Sequence, residues 1–374
     1  MNLHSLPTPF VAIDRARVKS NIAAMQEVAR AAGVALRPHA KTHKSPAIAN
    51  WQLEAGAVGI CCAKLAEAEV FADAGITDIR VPYPVNPVNA GRVRTLLSAG
   101  VTLSIVVDDV EVARQWSQAM TGAGMKLSVL VKVDVGFHRC GIDPESPHAI
   151  DAIRTINDLA GLSLRGLLSH AGHSYGAGSG HELAEIADKE IEILRTVASG
   201  ARSAGVEIHE LSVGSTPTAR FIPLQKGATE MRPGNYVFYD RTQLGLGATT
   251  ASGCAMSVIA TVVSRPVASR VIFDAGSKTL TSDAARGFGT TVGHGLVYPD
   301  LETETPQPSI TIERLSEEHA VARVLPNCTL RPGDRVRILP NHACVVTNLA
   351  DELVLVDGMT VVDRIAVGAR GKNY

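Results

Sequence analysis

The stretch Leu103–Val133, LSIVVDDVEVARQWSQAMTGAGMKLSVLVKV, sets the pattern for most of the chain. Its two ends, Leu103–Val107 and Leu127–Val133, are short aliphatic and β-branched runs, which are typical of buried strands. Between them, Val110–Ala123 carries apolar residues at helical spacing. A strand, a helix and a second strand in this order predict a parallel βαβ unit, because the helix returns the chain to the start of the next strand.

The same alternation extends in both directions, from about residue 34 to residue 235. The predicted strands are Val34–Arg37, Val58–Cys62, Asp78–Val81, Leu103–Val107, Leu127–Val133, Leu164–Ser169, Glu210–Val213 and Thr229–Arg232. The other predicted helices are Lys64–Ala74, Ala149–Ala160 and His181–Ala204. Eight such units predict a (β/α)8 barrel with its chemistry on the loops after the strands. An open doubly wound sheet is the alternative, but no GxGxxG motif opens the first helix.

Beyond Ser252 the helical periodicity gives way to short strand-like runs separated by Pro, Gly, Asn and Asp. These runs are Met256–Ser264, Arg270–Asp274, Ser309–Arg314, Ala320–Leu325, Asp334–Leu339, Leu353–Val356 and Thr360–Ile365. They predict a second, all-β domain. The run Phe10–Ile13, ahead of a helix at Arg15–Ala32, is assigned to it. We therefore expect a barrel over residues 14–250 and a β domain over residues 251–374 that also takes residues 1–13.

Composition excludes several classes of protein. The 374 residues carry 36 basic and 37 acidic side chains, so no net field favours nucleic acid or an anionic membrane. No apolar run approaches the ~20 residues that a membrane span needs, and the first residues lack the pattern of a secretion signal. The 6 cysteines form no CxxC pair, which argues against a disulfide framework or a zinc knuckle. We expect a cytoplasmic protein with reduced thiols.

The densest polar cluster is Arg37–Lys44, RPHAKTHK, where the first barrel strand ends. A lysine at this position can form an imine with an aldehyde cofactor if burial or nearby cations lower its pKa. A solvated basic loop is the alternative interpretation.

Two further segments follow the last two predicted barrel strands. Ser212–Thr218, SVGSTPT, offers backbone N–H groups and hydroxyls, and Arg232–Tyr236, RPGNY, follows the next strand. Barrels often bind phosphate after their seventh and eighth strands, so the pair predicts a phosphate site, although each segment alone could be an ordinary turn.

The loops after the fifth and sixth predicted strands point to the same mouth. Asp134–Gly141 contains Arg139, and Ser169–Tyr175 contains His170 and Tyr175. These side chains could hydrogen-bond a cofactor ring, but an arginine or tyrosine at a strand end is equally often structural.

A possible metal site lies in the β domain, in Pro340–Cys344, PNHAC. His342 and Cys344 stand two apart on what we expect to be an extended segment, so both would project to one side and could share a metal. A thiolate favours zinc over magnesium or manganese. The alternative is a capped strand end with a buried thiol. Nothing in the sequence assigns a role to Asp240, Asp274, His319 or Asp351.

Together these segments resemble the fold-type III pyridoxal-phosphate enzymes, specifically the D-threonine aldolase and D-serine dehydratase family. The resemblance extends from Thr8-Pro9 to Ala369–Gly371 and implies an alanine-racemase-like fold. The family's RPHxK segment matches Arg37–Lys41, which implies Lys41 as the Schiff-base lysine. The implied cofactor contacts are His39, Arg139, His170, Tyr175, Ser212, Gly214, Ser215, Thr216, Gly234, Asn235 and Tyr236. Tyr175 or Arg139 would face the pyridine nitrogen.

The metal segment distinguishes the branches of that family. Its aldolases carry His-x-Asp, whereas its dehydratases carry His-x-Cys in a PNHAC context, as this chain does at His342 and Cys344. The resemblance therefore implies Zn²⁺, with Mn²⁺ or Mg²⁺ as alternatives, and loss of water from a 3-hydroxy-D-amino acid to give a 2-oxo acid and ammonia. An aldolase that releases glycine is the main alternative. An amino-acid racemase and a non-catalytic pyridoxal-phosphate carrier fit less well.

The substrate's side chain is not specified by sequence. D-serine, D-threonine and 3-hydroxy-D-aspartate differ by a methyl or a carboxylate, and one arginine could choose among them. Arg220, Arg241 and Arg286 are the candidates. The resemblance further implies a homodimer with its active sites at the interface.

Overall fold

The computed structural model describes residues 2–224 and 226–374. The strands are β1 Phe10–Asp14, β2 Ala35–Leu36, β3 Ile60–Cys61, β4 Asp78–Pro84, β5 Thr102–Val107, β6 Leu127–Lys132, β7 Leu162–Leu168, β8 Glu210–Val213, β9 Glu230–Met231, β10 Met256–Val267, β11 Arg270–Phe273, β12 Leu296–Tyr298, β13 Ile310–Leu315, β14 Ala320–Val324, β15 Arg335–Leu339, β16 Glu352–Asp357 and β17 Thr360–Ala366. The helices are α1 Arg15–Ala32, α2 Pro46–Glu54, α3 Leu65–Asp73, α4 Ala90–Ser98, α5 Val110–Thr121, α6 Ala149–Asn157, α7 Gly180–Ser203, α8 Arg241–Gly245, α9 Ser277–Leu280 and α10 Ala343–Leu349.

An 8-stranded parallel sheet forms the first unit, in the order β2-β9-β8-β7-β6-β5-β4-β3. A parallel bridge between His39 and Cys61 joins its two edges, and the Cys61 amide donates to the Pro38 carbonyl over 2.7 Å. The sheet is therefore a closed (β/α)8 barrel, which confirms the predicted fold class and excludes the open doubly wound sheet.

The βαβ unit β5-α5-β6 shows how the sequence pattern becomes packing. Ala113, Trp116 and Met120 recur along one face of α5, and all three are fully buried. The Trp116 indole N–H donates to the Val85 carbonyl over 2.9 Å, so its polar edge is satisfied inside the core. This apolar face holds the helix against the outside of the barrel.

The second unit is a 9-stranded sheet with the path β13-β14-β11-β10-β1-β16-β17, to which β15 and β12 are added beside β10. Its neighbouring strands are antiparallel apart from β1 and β16, which are parallel. The alanine-racemase-like combination of a barrel with a separate β domain, expected from the resemblance, is confirmed. The helices α2 and α4 and the strand β12 were not predicted, because each is short and follows turn-forming residues.

No described helix has both the length and the apolar character to span a membrane.

Buried charges fill the base of the barrel. The Glu230 carboxylate accepts from Arg37 Nε over 2.7 Å, from Arg80, and from the Ser212 hydroxyl over 2.5 Å. Burial opposes ionisation of Glu230, but the two guanidinium groups outweigh it and hold the pKa below its usual 4.5. Asp78 accepts from the other side of Arg37 over 2.6 Å. Because the charges compensate one another, the network can stay inside the barrel.

We expect Glu230→Gln to lower the free energy of unfolding by about 3 kcal/mol, because it leaves two buried guanidinium groups undercompensated. The measurement is the midpoint of urea unfolding. Glu313→Gln is the matched control, since Glu313 pairs with Arg323 where the two side chains are 49% and 53% exposed. We expect the control to cost less than about 1 kcal/mol. Equal shifts in the two variants would contradict the proposed role of the buried network.

Candidate active site

A cavity of about 700 Å³ lies at the carboxyl ends of the barrel strands, where the β domain covers the mouth. This is the edge at which barrels place their chemistry. The predicted site residues that line it are His39, Lys41, Arg139, His170, Tyr175, Ser215, Thr216, Gly234, Asn235, His342 and Cys344. The structure thus brings segments from six separate loops to one cavity.

Three predicted cofactor residues do not line this cavity. The Ser212 hydroxyl is committed to Glu230 and accepts from Arg232 Nε over 2.7 Å. The Tyr236 side chain is fully buried, and its hydroxyl accepts from Gln52 Nε2 over 3.0 Å. Gly214, at φ +96, turns its amide towards Glu190. Ser212 and Tyr236 are thus buried behind the loops that line the cavity.

Lys41 stands on a 3-10 turn, Ala40–Thr42, directly after β2. Its side chain is accessible and faces the cavity. The nearby Lys44 is different, because its ammonium is buried against Glu67 Oε1 at 2.7 Å and also donates to Asn373 and the Ala369 carbonyl. Of the two lysines in this segment, Lys41 is therefore the one whose amine is open to a ligand.

Lys132, at the end of β6, is a third lysine in the cavity and was missed by sequence reasoning. Burial and the neighbouring Arg232 lower its pKa to about 8. Arg232 begins the predicted phosphate segment Arg232–Tyr236, but its side chain was given no role; it is buried and donates to Ser212 and to the Ser169 carbonyl. Both lie inside or beside an apolar strand, where the sequence gives no sign of an inward-facing cation.

These cations determine the protonation of the site's histidines. Burial, reinforced by Lys41, holds the pKa of both His39 and His170 well below 6.5, so both imidazoles are neutral at physiological pH. The His170 ring packs edge-on against Phe137 at a centroid distance of 6.0 Å, and the Arg139 guanidinium stacks on Phe137 at 4.9 Å. The barrel side of the cavity is accordingly positive and suited to an anionic ligand.

The predicted phosphate segments do meet in space. The Tyr236 amide donates to the Thr216 hydroxyl over 3.3 Å, which joins the loop after β8 to the loop after β9. Gly234 packs so closely that a Cβ atom there would lie 2.8 Å from the His39 carbonyl oxygen. Only glycine allows this approach, which brings the two segments beside Lys41.

Two polar side chains of the cavity lack partners within the described ranges. Asn235 Oδ1 and both amide atoms of Gln243 are buried and make no hydrogen bond among residues 2–224 and 226–374. Leaving such atoms unpaired is costly. A polar cofactor in the cavity would supply the missing partners, so the residues present fit a group such as pyridoxal phosphate.

His342 and Cys344 lie on the side of the cavity formed by the β domain. The Cys344 thiol is 3.2 Å from the Thr42 hydroxyl, and His342 Nδ1 is 2.7 Å from Asp283 Oδ2. The expected extended segment is wrong for Cys344: His342 is the N-cap of α10, and Cys344 sits in its first turn. The helix starts here because the Ala343 amide is held by Asp240 over 2.9 Å.

The two side chains influence each other's protonation. Burial disfavours the imidazolium, yet the Cys344 thiolate, its hydrogen bond and two nearby carboxylates raise the pKa of His342 to about 10. Burial likewise disfavours the thiolate, but His342 and Lys41 lower the pKa of Cys344 below 9.0. A metal ligand must be deprotonated, so a metal bound by both groups would displace the proton of His342. The resulting thiolate and neutral imidazole are a donor set that suits Zn²⁺.

The pair does not form a complete metal cage. Within the part of the chain that the structure describes, no three His, Cys, Asp or Glu side chains are placed to hold one metal ion. A metal on His342 and Cys344 would take its other ligands from water or substrate, which is the arrangement of catalytic rather than structural sites.

Asp240 connects the two sides of the cavity and had no role assigned from sequence. Its Oδ2 accepts from Asn235 Nδ2 over 2.5 Å and from the Ala343 amide over 2.9 Å. Its Oδ1 caps α8 through the Gln243 amide at 3.0 Å. One fully buried carboxylate therefore links the barrel loop after β9 to the segment that carries His342 and Cys344.

A lysine at the mouth of a (β/α)8 barrel, facing a β domain across one cavity, defines the alanine-racemase-like class of cofactor enzymes. Comparison with family models agrees with this class. Residues 13–242 match "Alanine racemase, N-terminal domain", and residues 255–356 match "Putative serine dehydratase domain". The chain belongs to the fold-type III pyridoxal-phosphate enzymes, in the family of D-threonine aldolase and D-serine dehydratase.

Individual relatives place the chain within that family. It is 34% identical to D-threonine aldolase of Arthrobacter sp. over 99% of this chain and 94% of that one. It is 36% identical to D-threo-3-hydroxyaspartate dehydratase of Delftia sp. strain HT23 over 91% and 92%. The solved structure of the Delftia enzyme superposes with a TM-score of 0.91 at 33% identity, covering 98% of each chain.

A metal-free cysteine-to-alanine variant of the same dehydratase superposes with a TM-score of 0.92 at 32% identity, over 98% of each chain. The homologues are lyases, both dehydratases and aldolases, so the chain is an enzyme of this lyase class that uses pyridoxal phosphate and acts on small amino acids.

Proposed function

We propose that the protein is a zinc-dependent dehydratase that removes water from a 3-hydroxy-D-amino acid and yields a 2-oxo acid and ammonia. The observation that carries the proposal is the placement of His342 and Cys344 opposite Lys41 in one cavity. The Delftia dehydratase supports it, because the histidine and the cysteine replaced in its solved variants stand two positions apart, as His342 and Cys344 do.

The barrel residues would hold the cofactor. Lys41 would attach to its aldehyde carbon, while Ser215, Thr216 and the Gly234–Asn235 backbone would take its phosphate, matching an anion to the positive side of the cavity. Pyridoxal phosphate, when bound, supplies an electron sink for the charge left at the substrate's α carbon. His39 and His170, held neutral, can pack against the ring without adding a further positive charge.

The sequence left Tyr175 and Arg139 as the two candidates to contact the pyridine nitrogen of the cofactor. The Tyr175 hydroxyl is buried, which raises its pKa, and it feels the charges of Cys344 and Asp240. Arg139 instead stacks on Phe137, on the barrel side. This arrangement supports Arg139 as the residue on the pyridine side and Tyr175 as a residue close to the metal pair and the substrate.

The chain's own groups would then carry the reaction. The Lys41 amine, when it is not attached to the cofactor, would take the proton from the substrate's α carbon. Zn²⁺ on His342 and Cys344 would supply Lewis-acid chemistry at the β-hydroxyl oxygen. Asp283 would orient the His342 ring through its 2.7 Å contact with Nδ1, which leaves Nε2 available as a ligand atom.

The aldolase reaction is the competing function, and the 34% identity to D-threonine aldolase over 99% of the chain favours it. That reaction starts by removing the proton of the β-hydroxyl and breaks the Cα–Cβ bond. We favour dehydration because the thiolate of Cys344 takes the place of the carboxylate that aldolases of the family carry. We further propose a homodimer with shared active sites, on the strength of the family resemblance alone.

Product analysis tests the reaction type. Incubation of the zinc- and pyridoxal-phosphate-loaded enzyme with D-serine, D-threonine and both 3-hydroxy-D-aspartate diastereomers should release ammonia and a 2-oxo acid. Glycine should not appear, because the Cα–Cβ bond stays intact. Ammonia and glycine are assayed in parallel, with the L-enantiomers as controls. Glycine without ammonia would make the enzyme an aldolase.

Lys41→Ala should abolish covalent attachment of the cofactor, because it removes the only accessible amine of the loop after β2. Borohydride reduction followed by peptide mass spectrometry locates the pyridoxyl group. Lys132→Met is the matched control. It removes another lysine of the cavity lining and should leave the label on the peptide that contains Lys41. A label found on Lys132 in the unaltered enzyme would reverse the assignment.

Cys344→Ala should keep the cofactor and lose bound zinc, with dehydration falling by about 10²-fold or more, because one of two protein ligands is gone. Metal content is measured by atomic emission and cofactor content by absorbance. Cys140→Ser, a cysteine outside the cavity lining, is the control and should retain both. Full activity of a metal-free Cys344→Ala enzyme would exclude a catalytic metal at this pair.

A further inference from the structure

The three arginines considered as substrate clamps have very different surroundings. Arg220 lies outside the cavity lining and donates to the Gly247 carbonyl. Arg241 is also outside, with its guanidinium donating to the carbonyls of Val292 over 2.8 Å and Gly293 over 3.1 Å. Arg286 alone of the three lines the cavity.

The backbone at Arg286 is fixed to the metal segment. Its amide donates to the Thr242 hydroxyl over 3.1 Å, and the same hydroxyl donates to the Asn341 carbonyl over 2.9 Å. Asn341 Nδ2 in turn donates to the Asp283 carbonyl over 3.0 Å. The loop that carries Asp283 and Arg286 is thus connected to Asn341 in two ways, directly and through Thr242. These connections fix the backbone of Arg286 relative to His342 and Cys344.

The guanidinium of Arg286 is available for a ligand. Across residues 2–224 and 226–374, no hydrogen bond or ion pair engages its side chain. The nearest acidic group in its own loop, Asp283, is already paired with His342. The Arg286 charge reaches the Tyr175 hydroxyl, where it opposes the effect of burial on the pKa. Arg286 therefore offers an exposed, unpaired cation in the same cavity as His342 and Cys344, where the proposed function places the substrate's β carbon.

We infer that Arg286 binds a carboxylate on the β carbon of the substrate, and that the preferred substrate is a dicarboxylic 3-hydroxy-D-amino acid of the 3-hydroxy-D-aspartate type. This rests on the proposed function, since the β-hydroxyl is placed at His342 and Cys344. A carboxylate on that β carbon would then be within reach of Arg286, whose loop is hydrogen-bonded to the segment that carries His342 and Cys344. Guanidinium and carboxylate form paired, charge-assisted hydrogen bonds, whereas the side chains of D-serine and D-threonine offer no anionic acceptor.

The test compares Arg286→Met, Arg286→Lys and the control Arg220→Met on D-serine and on the 3-hydroxy-D-aspartate diastereomers. We expect Arg286→Met to lower kcat/KM for the diacid by about 10²-fold or more, because the substrate's second carboxylate then has no charged partner in the cavity. Its kcat/KM for D-serine should stay within about threefold of the unaltered enzyme. Arg286→Lys should recover part of the loss, and Arg220→Met should change neither substrate.

Binding provides a second measurement. D-aspartate has the second carboxylate but no β-hydroxyl, so it can bind without losing water. Calorimetric titration should show tighter binding of D-aspartate than of D-alanine to the holoenzyme, and Arg286→Met should remove that difference. Equal losses on D-serine and the diacid would place Arg286 at the α-carboxylate and overturn the inference, as would no loss on either.

The two proposals fail in different ways. Ammonia from D-serine but not from either diacid would leave the dehydratase function standing and reject the dicarboxylic substrate. If the unaltered enzyme releases no ammonia from any compound, the proposed function fails, and the D-aspartate and D-alanine titrations still decide the role of Arg286.

Discussion

The active site depends on one buried carboxylate, Asp240. It accepts hydrogen bonds from a barrel loop, through Asn235, and from the start of α10, through the Ala343 amide. Burial raises the pKa of Asp240, and the three donors around it offset part of that cost. Since Lys41 comes from the barrel and His342 and Cys344 come from the β domain, their relative position follows from this connection more than from either domain alone.

Charge compensation then divides the interior into two regions. At the base of the barrel, Glu230 pairs with both Arg37 and Arg80, and Asp78 and Glu210 complete the charge compensation. At the mouth, Lys41, Lys132 and Arg232 give a positive potential that suits an anionic cofactor, and burial together with these charges keeps His39 and His170 neutral. The same strands therefore contribute stability at one end and binding at the other.

The sequence predicted the barrel well because its signal is local. Alternation of apolar runs with amphipathic helices, as in β5-α5-β6, needs no long-range information, and the loops after the strands necessarily share one edge. The direction of individual side chains was harder to predict, because strand periodicity does not say which residues at a strand end point into the core and which line the cavity. Ser212 and Tyr236 were predicted as cofactor contacts but are buried away from the cavity, whereas Lys132 and the Arg232 side chain line the cavity and had been given no role. The domain boundary at residues 250 and 251 stays a prediction.

Contacts between distant segments could not be read from the chain at all. The bond between Asp283 and His342 spans 59 positions, and the tie between Asp240 and Ala343 spans 103. These contacts position His342 and the start of α10, and so help bring the segment with His342 and Cys344 to the cavity. They also suggest how one scaffold serves two reactions, since relatives named as aldolase and as dehydratase match this chain over nearly its whole length. The proposed cofactor residues come from loops after the barrel strands, whereas His342, Cys344 and Arg286 come from later segments of the chain. Under the proposed function, a change of metal ligand or of Arg286 would alter which substrate bond breaks without changing the residues that hold the cofactor.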